Sequence, residues 1–183
     1  MRKTIAFFGH RHLWGRNIRE RLKKEIESNL CDELCCLVGT HGEFDNLVLS
    51  VCREIRKSYP LLKITVVFTS LNVLKKKQGE LYSTADMYRD VKTIIYDIEE
   101  EHFKKQIEVS NRKMVDDSDI IICYVDKANK KSGAKKAINY AMRTGRQVIN
   151  IFKEEDRPFY GKTKEEKENE WKEFMSEDKQ RNS

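Results

Sequence analysis

The sequence predicts an α/β fold: a Rossmann-like, doubly wound, mainly parallel sheet with helices on both faces. Three observations predict it. Short continuous apolar runs recur along the chain, as expected of strands buried on both sides. Amphipathic helical patterns separate these runs. Two of the runs stop on glycine, at Gly9 and Gly39. Strands alternating with helices close into a parallel sheet through right-handed crossovers.

The elements follow in order. Thr4 to Phe8 is the first buried strand, and Ile18, Leu22, Ile26 and Leu30 then recur at helical spacing. Leu34 to Val38 is the second strand. A second helix from about Asp45 to Ser58 carries Leu47, Val48, Val51, Cys52 and Ile55 on one face, and Pro60 closes it. Ile64 to Phe68 is a β-branched third strand. From Leu71 to Asp90 no period is clear, and Lys75, Lys76, Lys77, Gln78 and Gly79 read as a polar loop. Val91 to Ile95 gives a fourth strand, His102 to Val115 a helix, and Ile120 to Val125 a buried strand. Ser132 to Arg143 is helical with Ala134, Ala137, Ile138 and Ala141 inward, and Gly145 suits the position after its end. Val148 to Phe152 is the last strand. The domain therefore spans 1–152. The remainder, 153–183, is a charged tail in which Trp171, Phe174 and Met175 share a helical stripe, expected to pack back onto the domain, with a partner-binding helix as the lesser alternative.

Composition narrows the function classes. The chain has 183 residues, 39% hydrophobic and 36% charged, the size of one domain. No apolar run approaches the ~18 residues of a membrane span. The start, MRKTIAFFGHRH, lacks the apolar core and cleavage site of a secretory signal. With an odd count of five cysteines (Cys31, Cys35, Cys36, Cys52 and Cys123), this points to the reducing cytoplasm. The net charge is +6, and the tail has eight basic against ten acidic residues, so the excess lies in the domain. It favours an anionic ligand without singling out nucleic acid.

Open α/β sheets bind ligands beyond the carboxyl ends of their strands. The unusual residues cluster there: Gly9, His10, Arg11 and His12 after strand one; Gly39, Thr40, His41, Gly42, Glu43 and Asp45 after strand two; Tyr124 and Asp126, then Ser132, Gly133 and Ala134, after the 120–125 strand. Glycine lets a ligand approach the main chain, and a helix start offers amides and a positive dipole end to phosphate. Arg11 adds a bidentate charge contact. Gly9, His10, Arg11, Gly39, Thr40, Gly42, Asp45, Tyr124, Ser132, Gly133 and Ala134 are thus the candidate binding set for a nucleotide-like small molecule. Asp45 reads equally as a helix cap or as a group that accepts from ribose hydroxyls or orients a basic neighbour. His10, His12 and His41 read as polar loop residues, and Asp116, Asp117 and Asp119 as a cap or solvated cluster. No metal and no cofactor is expected.

The stretches FFGHR at 7–11, VGTHGEFDNLV at 38–48, SNRKMVDDSDIIICYVD at 110–126 and SGAKKAINYAMRTGRQVINIF at 132–152 resemble the SLOG superfamily. This Rossmann-like group includes the Lonely Guy phosphoribohydrolases and the DNA-processing protein A core. Within it, the likeness is greatest to a bacterial family of short proteins. The resemblance covers most of 4–152 in order and implies a nucleotide-derived ligand, either hydrolysed to base and ribose phosphate or only sensed. In the hydrolases an Arg-Lys pair precedes the central strand, and a glycine-rich turn ends in a glutamate. Arg112 and Lys113 match the pair. The turn is reduced to Ser132-Gly133-Ala134, with Lys135, Lys136 and Ala137 where the glutamate is expected. Glycosidic cleavage needs a carboxylate, which lysine cannot replace.

Binding or sensing without turnover is accordingly the leading expectation. The alternative is an N-glycosidic hydrolase or transferase with catalytic Glu43, Asp45 and Arg112. A nucleic-acid module, in which Trp14, Phe44 or Tyr124 stacks on bases, ranks below both. A homo-oligomer is the expected assembly.

Overall fold

The computed structural model describes residues 2–69, 84–96, 103–129, 132–157 and 168–169. The expected stripe of Trp171, Phe174 and Met175 and the 75–79 loop lie outside them. The strands are β1 (Arg2–Gly9), β2 (Glu33–Val38), β3 (Leu62–Phe68), β4 (Lys92–Ile95), β5 (Ile120–Tyr124) and β6 (Gln147–Asn150). The helices are α1 (Ile18–Glu27), α2 (Glu43–Ser58), a single turn α3 (Thr84–Met87), α4 (Phe103–Asp116) and α5 (Gly133–Arg143).

One parallel sheet runs in the order β4-β3-β2-β1-β5-β6. The chain steps outward from β1 to β4 on one side, then restarts at β5 on the other. The order therefore reverses between β1 and β5, where the crossover loops diverge and leave a crevice.

Alternation along the strands divides the core into two layers. Ile5 and Phe7 of β1, with Ile120, Ile122 and Tyr124 of β5, pack under α1 and α2 with Leu22, Ile26, Val48, Val51 and Cys52. Ala6 and Phe8, with Ile121 and Cys123, pack under α4 and α5 with Met114, Val115, Ala137, Ile138 and Ala141. Helices cover both faces, as the doubly wound expectation requires. Among the described residues no helix is long and apolar enough to cross a membrane.

Element ends differ from the pattern for local reasons. Helix α2 begins two residues before Asp45 because Gly42 is its cap and the Glu43 N–H donates to the Arg11 carbonyl at 2.8 Å. The last two strands end early because the Asn150 side chain replaces ladder bonds. Its Oδ1 accepts from the Val125 and Phe152 amides, and its Nδ2 donates to the Val125 carbonyl at 2.8 Å. Ser132 caps α5 by accepting from the Lys135 amide, and Gly145 at φ 74° turns the chain into β6. Cys31, Cys35, Cys36, Cys52 and Cys123 are free thiols, all buried except the partly exposed Cys31.

Candidate functional site

A cleft of about 600 Å³ opens at the carboxyl edge of the sheet, over the β1/β5 reversal. That volume suits a nucleotide-sized ligand. Gly9, His10 and Arg11 reach it from β1, and Gly39, Gly42 and Asp45 from the β2–α2 turn. Ser132, Gly133 and Ala134 complete it at the start of α5. Nine of the eleven candidate binding residues thus share one space, though they come from three separate turns.

The glycines have different physical reasons. A Cβ on Gly9 would sit 2.3 Å from the Phe44 ring, so Gly9 admits α2 against the end of β1. A Cβ on Gly42 would lie 2.8 Å from the Arg11 Cα, so Gly42 lets the two loops touch backbone to backbone. A Cβ on Gly39 would come within 3.2 Å of the Asp45 carboxylate. Gly133 alone of the cleft glycines has nothing within 4 Å of a Cβ. Three of the four therefore serve packing, and only Gly133 borders open space.

His10 fixes the β1/β5 rim. Its amide donates to the Tyr124 carbonyl, and its Nε2 accepts from the Asp126 N–H at 2.7 Å. The neutral ring therefore carries its proton on Nδ1. Burial lowers its pKa, against a smaller opposing pull from Asp126. The ring stands edge-on to Tyr124 and Phe152. Asp45 folds its carboxylate back to the His41 amide at 2.7 Å. Burial pushes its pKa up to about 6, although bonds from the His41 and Gly42 amides pull the other way. Asp45 thus lines the cleft with a carboxyl whose ionisation burial opposes.

The other predicted residues go elsewhere. Tyr124 is fully buried under Phe44, His10 and Phe152 rather than in the cleft. Thr40 does not line it. The Glu43 carboxylate accepts from the Leu13 amide at 2.8 Å and meets His12 Nδ1 at 3.2 Å, tying down the post-β1 loop. Arg112 pairs with Glu108 at 2.7 Å in a neighbouring groove between α4 and α5. Of the three candidate catalytic residues only Asp45 lines the cleft. His10, His12 and His41 all border it, but among the described residues no group of three His, Cys, Asp or Glu could hold a metal ion. The aspartates before β5 are structural: Asp119 accepts from the Thr4 amide, Asp116 from the Tyr140 hydroxyl and Asp117 from the Tyr96 hydroxyl.

A strap after β6 supplies lining that the sequence reading missed. Phe152, Asp156 and Arg157 form one wall of the cleft, and Asn111 of α4 and Asp126 add polar groups. Both oxygens of the buried Asp156 lie 2.8 Å from the Arg21 guanidinium, and Gly15 packs so close that a Cβ there would clash at 2.1 Å. Arg157 grips Asp126 with two bonds of 2.8 and 2.9 Å, which holds the Asp126 carboxyl below its usual range. The apolar period ends at 152, which is where the sequence pattern puts the domain boundary. The only signal available beyond it was the Asp-Arg pair at 156–157, and charged pairs are common in tails.

Sheet order, crossovers and the reversal over the cleft define an α/β domain of the Rossmann-like class. Among solved structures the chain is similar to the X-ray structure of DNA processing protein A (DprA) from Streptococcus pneumoniae. The TM-score is 0.57 at 19% identity, over 80% of this chain and 49% of that one. The likeness is one of fold, and the chain spans about half the length of that protein. No family model matches the chain, and no curated protein matches it.

Proposed function

We propose that the protein is a SLOG-type nucleotide-binding or nucleotide-sensing domain whose cleft holds a nucleotide or nucleotide derivative without turning it over. One observation carries this reading: turns after β1, β2 and β5 converge on a single cleft of about 600 Å³ at the sheet's reversal point. The α5 start brings a positive dipole end to it, Arg11 brings a cation, and Gly133 leaves room for a ligand to approach. The sequence resemblance and the fold shared with DNA processing protein A support the same class. Calorimetry across a nucleotide panel tests it. Saturable binding of at least one member, weakened tenfold or more by Gly133→Asp (roughly the effect of one unfavourable charge), is the expected result. No heat with any member would overturn the reading.

A second reading, glycosidic hydrolysis, is favoured by Asp45 alone. A carboxyl with a pKa raised to about 6 is able to protonate a departing base. It predicts free base released from nucleoside monophosphates and lost in Asp45→Asn. Binding without release retires it.

A further inference from the structure

We propose that a second anion subsite adjoins the cleft in the groove between α4 and α5, and that the ligand carries two phosphate groups one sugar apart. The proposal rests on the nucleotide reading of the cleft and extends it. The groove encloses about 650 Å³ and shares Ile107, Asn111, Ser132 and Gly133 with the cleft. The two spaces therefore meet at Gly133, where a Cβ would touch nothing.

Charge separates the groove from an ordinary solvated face. It is lined by Arg112, Lys136 and Arg143 against Glu108 alone among carboxylates. Glu108 accepts from Arg112 at 2.7 Å and from Lys136 at 3.2 Å, so one carboxylate gathers cations from two helices. The Arg112 guanidinium also lies 5.6 Å over the Tyr140 ring, and the Tyr140 hydroxyl is anchored on Asp116. These contacts fix the position of a side chain that is half exposed. A guanidinium offers five N–H donors and an ammonium three, so one carboxylate cannot saturate them. Two positive charges remain in excess, on a concave surface that is open to the cleft.

Spacing sets the ligand class. Helix α5 rises ~1.5 Å per residue, which places Lys136 about one turn from Gly133. The Lys136 side chain carries its ammonium farther still, to Glu108 on α4, so the two anion positions are separated by more than the helix rise and are within the reach of two phosphates on one sugar. Nucleoside 3′,5′-bisphosphates and 5′-phosphorylated strands share that chemistry.

Calorimetry on the full chain with AMP and adenosine 3′,5′-bisphosphate tests the subsite. The bisphosphate is expected to bind about tenfold or more tightly than AMP, as charge-assisted contacts allow. The exposed double substitution K136A/R143A should erase that margin, weakening the bisphosphate far more than AMP, which loses only the screened pull of two neighbouring charges. Equal binding of the two ligands by the unaltered protein, or equal weakening of both in the variant, would overturn the subsite and leave the nucleotide cleft standing. Failure of both ligands to bind would overturn the subsite, and with no heat from the rest of the nucleotide panel it would overturn the cleft reading as well. A 5′-phosphorylated hexathymidylate separates the sources. If it binds more tightly than the bisphosphate and shows the same loss in the variant, the second phosphate belongs to a strand; if it binds more weakly, to a free nucleotide.

Discussion

At the scale of residues, the Gly9–Phe44 contact and the Asp45 carboxyl each make a measurable claim. Gly9→Ala would press a methyl group into the Phe44 ring, so it should destabilise the fold by about 1–3 kcal/mol, the usual range for overpacking. Denaturant unfolding measures this, and Phe44→Leu should recover part of the loss by opening space. The sign for Asp45 follows from linkage. Its folded pKa, about 6, is above the unfolded value, so the folded state binds more protons between pH 4 and 6. Stability from this group is full below pH 4 and is lost as pH rises through 6. The difference in unfolding free energy between the unaltered protein and Asp45→Asn should therefore shift in favour of the variant across that window, and be flat outside it. Subtracting the variant cancels the opposing histidines, His10 and His41, whose pKa values burial lowers.

At the scale of elements, the strap after β6 is the least expected part of the molecule. Arg21 is mostly buried, and Asp156→Ala would leave it facing a vacated site. The expected loss is about 3 kcal/mol, toward the low end for a broken buried pair, because Arg21 keeps the Ile151 and Arg16 carbonyls. The same substitution should weaken nucleotide binding, since Phe152 and Arg157 hang on that anchor. Urea denaturation and calorimetry on one variant read both effects. The strands were legible because each is a run of apolar residues set off by glycine or charge. The strap was not, because its order comes from ion pairs between residues distant along the chain, Arg21 with Asp156 at 135 positions and Asp126 with Arg157 at 31, which no local period records.

At the scale of the whole molecule, parallel topology turned scattered turns into one site. Sequence position alone brought Gly9 and Gly39 to strand ends and Gly133 to a helix start, and the carboxyl-edge rule then gathered them. It could not say which way each side chain pointed. Tyr124 continues the parity of Ile120 and Ile122 and faces the α1–α2 layer, so strand alternation could have placed it in the core. Arg112 turns from the cleft toward α5 because Glu108, one turn earlier on α4, and Tyr140 receive it. No motif predicts that choice between two neighbouring hollows.

The convergence is tested most directly by amide chemical shifts during titration of the labelled protein with AMP. The account predicts saturable shifts, with one dissociation constant, at His10, Arg11, Gly42, Asp126, Gly133 and Ala134 together. Shifts confined to one of these turns, or spread over the opposite edge of the sheet, would contradict it.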